Sequence, residues 1–177
     1  YNNSYGLKNK RRDIFENIKK FNLIAKETDE REIASLLEKN KFIGFVSGKY
    51  EFGPRALGFR SLLADPRKLS NWNKINKEIK FREDFRPFAP VILEKDAKKL
   101  WGKESMPTSS PYMLLAPKMS IKAKKIIPAT LHVDYTSRIQ TVTKNFNPIL
   151  YRILIEFKKR TGVGCLLNTS LNMAGES

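Results

Sequence analysis

Residues 29–46 read DEREIASLLEKNKFIGFV. Asp29 is an N-cap residue with a carboxylate, Glu32, three positions on, the spacing of a capping box. Ile33, Leu36 and Leu37 share one face of the helix this opens, and Asn40 is its stop. Phe42–Val46 then forms a short apolar run that reads as a buried strand. A capped helix, a tight turn and an apolar strand together indicate an α/β layer arrangement.

Working outward, Ile14, Phe15, Ile18 and Phe21 fall on one helical face, and Leu23–Ala25 reads as a short strand. Residues 1–12 are polar and basic and read as a connector. C-terminally, 47–57 is a loop punctuated by glycine and proline, 61–64 a strand closed by Asp65-Pro66, and 68–79 a helix. Pro87 and Pro90 forbid a long helix over 81–90. Strands are expected at 91–93, 113–115 and 139–142, with a helix over 95–101. Residues 148–160 carry the clearest late helix, with Pro148 in its first turn and Gly162 past its end. A strand over 163–167 leads into an Asn168-Thr169-Ser170 turn. The expected architecture is a single α/β domain, a twisted mixed sheet flanked by helices.

The chain has 177 residues, 41% hydrophobic, enough to bury a core, and the best apolar runs fall well short of the roughly 18–20 residues of a membrane span. With one cysteine, Cys165, and one histidine, His132, an internal disulfide and a His-rich metal site are excluded. Cys165 reads as a small core residue and His132 as structural. The chain opens at Tyr1, and its first methionine is Met106. No basic-then-apolar signal segment opens it, and it reads as a piece cut from a longer polypeptide, or a processed one, with a cytoplasmic location expected.

Lys and Arg number 34 against 18 Asp and Glu, a formal charge of +16. Scattered lysines account for most of the excess. The arginines are more telling, because Arg55, Arg60, Arg67, Arg82 and Arg86 crowd into one stretch rich in Gly, Pro and Phe. A guanidinium is planar, permanently charged and forks onto two phosphate or carboxylate oxygens. Glu83 and Asp134 are expected to orient arginines, and Phe81, Phe85 and Phe88 to pack the loop.

Three irregular segments carry the chemistry. The first is Glu51-Phe52-Gly53-Pro54-Arg55-Ala56-Leu57-Gly58 with Arg60-Ser61 and Ala64-Asp65-Pro66-Arg67. The second is Lys80-x-Arg82-Glu83-x-Phe85-Arg86-Pro87-Phe88-Ala89-Pro90. The third joins His132-Val133-Asp134-x-Thr136-x-Arg138-x-Gln140-Thr141-Val142 to Leu166-Leu167-Asn168-Thr169-Ser170-x-Asn172-x-x-Gly175-Glu176. In this order and spacing they closely resemble the C-terminal domain of the carbamoyltransferase family, over about residues 40–176.

The resemblance implies a YrdC-like fold that binds ATP, with Mg2+, and carbamoyl phosphate or carbamate. It implies formation of carbamoyl-adenylate with release of pyrophosphate. An N-terminal kinase-like domain, absent from this chain and carrying a histidine-bound metal, would pass the carbamoyl group to a hydroxyl. Lys80, Arg86, Arg138 and Ser170 match the family's catalytic positions. Arg55, Arg82, Asn168 and Asn172 match substrate-binding ones, and no metal ligand is expected here. Phe59 stands where the family has Asn, Leu171 where it has Phe, and Tyr135 where it has a glycine suited to positive φ. A threonylcarbamoyl-adenylate synthase is the enzymatic alternative, and a basic RNA-binding module, suggested by the +16 charge, the non-enzymatic one. Arginines in rigid Gly/Pro loops, rather than along a helix face, favour small-molecule anions over nucleic acid, and nothing points to a membrane.

Overall fold

A computed structural model describes residues 6, 10–101, 109–172 and 176. Most of the expected connector and Gly175 of the late motif lie outside these. The helices are α1 (Arg11–Lys20), α2 (Glu30–Glu38), α3 (Leu69–Lys74), α4 (Glu94–Leu100), α5 (Ile121–Ile126) and α6 (Pro148–Thr161). The strands are β1 (Ile43–Val46), β2 (Arg60–Ala64), β3 (Ala89–Leu93), β4 (Gln140–Val142) and β5 (Cys165–Ser170). They form one mixed sheet of order β1-β2-β5-β3-β4, in which only β3 and β4 run parallel.

The deciding segment folds as its residues require. The Asp29 side chain accepts from the Arg31 and Glu32 backbone amides. Glu32 does not close the reciprocal half of a capping box; its carboxylate takes Lys26 and Thr28 instead. At the other end Asn40 adopts φ +60°. Its N–H bonds to Leu37 C=O and the Lys41 N–H to Leu36 C=O, the Schellman pattern with asparagine in the left-handed position.

Helix α6 supplies the largest apolar face. Leu150, Ile153, Leu154 and Phe157 recur at helical spacing and pack with Ala34 and Leu37 of α2 onto Leu63, Val91, Leu93 and Leu166 of the sheet. Asn147 caps its first turn and Gly162, at φ +79°, ends it. The opposite sheet face, carrying Ile92 and Cys165, is covered by α4, α5 and Trp101, and burial pushes the Cys165 thiol up. No helix among the described residues is long and apolar enough to cross a membrane.

Several expectations give way. Leu23–Ala25 is not a strand: it pairs with nothing in the sheet, and Leu23 and Ile24 are exposed. Residues 113–115 are irregular, because Met113 sits at φ +55° and turns its side chain into a pocket with Leu57 and Phe59. β1 is an edge strand with only Phe45 buried, not a buried one. Asn168–Ser170 is not a turn; it continues β5 along β2, with Asn168 also paired to Ala89 of β3. The helix over 68–79 changes pitch at Ile75 into a π-helical turn, Ile75–Ile79, and α5 lacks a sequence signal beyond its Ser120 cap.

Gly58 is the tightest point of the arginine-bearing loop. Its φ is +88°, and a Cβ there would overlap the Leu150 Cδ2 methyl. Gly58→Ala should cost about 2–5 kcal/mol, combining left-handed strain with overpacking. Urea unfolding measures it, and a loss under about 1 kcal/mol would show that loop and helix part easily.

Candidate functional site

Beyond the packing of Leu57 beside Phe59 and Met113, the loop 51–58 is tied down by directed polar contacts. Glu51 accepts from the Phe59 and Arg60 amides at 2.9 and 3.1 Å, and burial raises its pKa despite these donors. Asn147 donates to Gly58 C=O at 2.7 Å. Gln140 donates to Leu57 C=O at 2.8 Å, Asn168 to Ala56 C=O at 2.9 Å, and the two carboxamides bond each other at 2.9 Å. Arg55 is thereby set beside the C-terminal end of β5.

A second wall comes from the π-helical turn. The buried Asn76 side chain donates to Arg86 C=O at 3.1 Å and accepts from Arg82 Nε at 2.7 Å. Trp72 adds a bond to the same carbonyl. Arg82 lies over the buried Phe88 ring, 4.8 Å from its centroid, while Phe81 and Phe85 are exposed and do not pack the loop. A third wall is the 132–138 segment. Ser137 donates to Thr130 C=O at 2.6 Å and its amide to Pro117 C=O, which fixes Arg138 between buried neighbours.

These walls enclose a cleft of ≈ 280 Å³ lined by Arg55, Arg82, Arg86, Arg138, His132 and Ser170, with Asn168 and Thr169 also contributing. No carboxylate is among the described residues that line it. Among the described residues only Arg86 of these arginines has an acidic hydrogen-bond or ion-pair partner, Glu83 at 3.1 Å on the rim. Burial first, and then the Arg138 charge, pull the Arg55 guanidinium down from its usual value; burial and Arg86 do the same to Arg82. Of four buried side-chain polar atoms without a hydrogen-bond partner among the described residues, two, Arg82 Nη2 and Asn168 Oδ1, belong to residues of this cleft; Asn40 Oδ1 and Trp101 Nε1 lie elsewhere. Uncompensated guanidiniums gathered in one concavity make it an anion-binding site. No group of three or more His, Cys, Asp or Glu side chains occurs among the described residues to cage a divalent ion, so the cleft offers Mg2+ no ligand set of its own.

His132 belongs to this lining rather than to the core. Thr136 Oγ1 donates to Asp134 Oδ1 at 2.8 Å, so toward His132 Nδ1, 2.9 Å away, it acts as acceptor. The neutral ring then carries its proton on Nδ1 and leaves Nε2 as an acceptor. Burial favours that neutral form. Asp134 orients this turn and no arginine. Tyr135 takes the φ of +62° that suits glycine, with its ring turned out beneath Lys124 Nζ and away from the cleft lining.

Lys80 stands behind this surface. Its Nζ donates to the Ser170 and Asn172 carbonyls and to Asn172 Oδ1 at 2.7 Å. It meets the cleft only through Ser170. Asn172 lines an adjoining hollow of ≈ 360 Å³ with Glu51, Arg60, Arg55 and Ser170. Arg67, from the same sequence cluster, is elsewhere, its guanidinium on the buried Asp65. Glu51, Asn76, Gln140 and Asn147 position the site yet were given no role from the sequence; Glu51 and Gln140 lay within quoted motifs, Asn76 and Asn147 in none.

A family model described as carbamoyltransferase C-terminus matches residues 34–177. The chain is 45% identical over 130 residues to nodulation protein NolNO of Sinorhizobium fredii, covering 73% of this chain and 19% of that protein. It is 42% identical over 143 residues to nodulation protein NolO of Bradyrhizobium diazoefficiens, covering 81% and 26%. It is 38% identical over 152 residues to the 3'-hydroxymethylcephem-O-carbamoyltransferase of Amycolatopsis lactamdurans, covering 86% and 28%. The chain thus spans 19–28% of the length of these relatives.

Burial, joined by the Arg82 charge and opposed by Glu176, pulls the Lys80 ammonium down to about 8. Between that value and the ordinary 10.5 the unfolded chain binds more protons than the folded one. The Lys80 contribution to stability therefore rises with pH across this window. Wild type should gain stability relative to Lys80→Met between pH 8 and 10.5 in paired urea titrations. A flat gap would mean that Lys80 is freely solvated, and a shrinking one that its ammonium is stabilised by folding; either overturns the burial effect.

Proposed function

The chain belongs to the carbamoyltransferase family, matching its C-terminal region, and on that premise we propose that its arginine-lined cleft activates a carbamoyl donor with ATP. The observation that carries this reading is the meeting of Arg55, Arg82, Arg86 and Arg138 on one cleft with no carboxylate among the described residues of its lining. Four permanent cations, three of them without an acidic partner among the described residues in hydrogen-bond or ion-pair contact, call for a ligand of several negative charges, and a triphosphate supplies them.

In the reaction proposed, a carbamate oxygen attacks the α-phosphorus of ATP. The new O–P bond gives carbamoyl-adenylate, and the bond to the β-phosphate breaks with its electron pair leaving on pyrophosphate. Carbamoyl phosphate supplies the carbamate by losing inorganic phosphate to water. In this reading Arg86 and Arg82 hold the leaving pyrophosphate, and Arg55 and Arg138 the reacting phosphoryl group. Such a reaction needs mainly positioning and fixed positive charge where negative charge accumulates. Ser170, held by Lys80 from behind, contributes a hydroxyl whose geometry is set by the end of β5. Mg2+ would enter on the nucleotide's own phosphate oxygens and neutralise part of their charge. Transfer of the carbamoyl group to a hydroxyl acceptor is assigned to the longer remainder found in the relatives.

Isothermal titration of the chain with ATP and with carbamoyl phosphate tests the reading. Both should bind, more weakly as salt is raised, and Arg138→Ala or Arg55→Ala should each lower ATP affinity about tenfold or more. A folded sample giving no heat with either ligand, but binding RNA with a steep salt dependence, would turn the cleft into a nucleic-acid site instead.

A further inference from the structure

Asn76 is fully buried, and its partners fix which way its side chain points. Arg86 C=O can only accept and Arg82 Nε can only donate. The carboxamide therefore presents Nδ2 to the first at 3.1 Å and Oδ1 to the second at 2.7 Å. A flip would set acceptor against acceptor and donor against donor. The backbone adds a third bond, in which Asn76 C=O accepts from the Arg82 N–H at 3.0 Å. All three bonds start from the π-helical turn Ile75–Ile79, where Lys80 N–H closes onto Ile75 C=O at 2.8 Å. Turns of this kind recur at functional sites.

The chain fixes another arginine differently. Asp65, a buried carboxylate, forks onto Arg67 Nε and Nη2 at 3.0 and 2.7 Å and answers its charge. An ion pair is the stronger way to hold a guanidinium, but it cancels the field that the guanidinium presents to a ligand. The carboxamide of Asn76 fixes Arg82 and leaves its charge uncompensated, with Nη2 buried and without a partner among the described residues. It also donates to Arg86 C=O, which a carboxylate cannot do. Trp72 Nε1 bonds the same carbonyl at 2.8 Å, and Asn76 ties that doubly held backbone to the Arg82 side chain.

We propose that Asn76 is the positioning residue for the pyrophosphate half of the nucleotide: one neutral carboxamide aims Arg82, fixes the backbone of Arg86 and compensates neither charge. This rests on the reading that Arg82 and Arg86 hold the leaving pyrophosphate, while Arg55 and Arg138 hold the reacting phosphoryl group. The side-chain bonds of Asn76 go to the first pair, and the second pair belongs to walls fixed by other residues.

Inorganic pyrophosphate and AMP represent the two halves of ATP. Titrated separately into the 177-residue chain, both should bind. Asn76→Asp keeps the size, places a carboxylate on Arg82 and takes the donor from Arg86 C=O; Asn76→Leu removes both bonds and adds no charge. Each folded variant should lose about tenfold or more in affinity for pyrophosphate, and the ratio of pyrophosphate to AMP affinity should fall with it. A general loosening of the cleft would weaken both ligands alike. A folded variant that keeps the ratio therefore overturns the role of Asn76 and leaves the anion cleft standing. If wild type leaves either ligand unbound, the division of the nucleotide between the two arginine pairs falls, and this inference with it. Should neither variant fold by circular dichroism, Trp72→Phe decides, since it removes the companion bond to the Arg86 carbonyl. A lowered ratio there supports the positioning role, and a kept one overturns it.

Discussion

The paired carboxamides of Gln140 and Asn168 join what the chain order separates. They sit on β4 and the central strand β5, bond to each other, and seize the carbonyls of Leu57 and Ala56 from a loop more than eighty residues earlier. Both are buried, so losing one partner strands the other in a medium where water cannot replace it. The loop that carries Arg55 is thus held to the sheet by bonds with defined direction. Apolar packing alone would hold it less specifically, since dispersion and burial do not choose between rotations of a loop.

That rigidity bears directly on the cleft. Gathering Arg55, Arg82, Arg86 and Arg138 around one cavity is unfavourable in the empty protein, through both desolvation and mutual repulsion. The effect appears as downward pressure on the Arg55 and Arg82 guanidiniums. Such an arrangement persists only where the backbone cannot relax away from it. Here the backbone is restrained at each wall: by Glu51, Asn147 and the carboxamide pair, by Asn76 and Trp72, and by Ser137. Arg67 shows the contrast. It has a buried carboxylate within 2.7 Å, and its charge is answered inside the protein.

The elements were largely legible in the sequence because their signals are local. Capping by Asp29, the stop at Asn40, the 150–153–154–157 face of α6 and the turn at Gly162 each depend on neighbours within a few residues. Where the reading failed, a distant contact overrode the local pattern. Met113 leaves the extended region to fill a pocket beside Leu57 and Phe59, and Asn168–Ser170 looks like a turn until β2 is placed along it and β3 against Asn168. Tyr135 shows the limit of substitution arguments, since a bulky residue occupies the left-handed conformation with its ring against Lys124, outside the cleft lining.

The amino-acid sequence alone determined the α/β class, the family and the set of cations worth considering, since periodicity, capping and ordered motifs survive in one dimension. It could not rank those cations. Whether Arg67 is neutralised and Arg55 is not, whether Lys80 lines the cleft or supports Ser170 from behind, and which atom of Asn168 is left unpaired all depend on partners brought from far along the chain. Electrostatic and hydrogen-bond free energies fall off over a few ångströms and are set by burial. Only the folded arrangement, which fixes both distance and exposure, decides them.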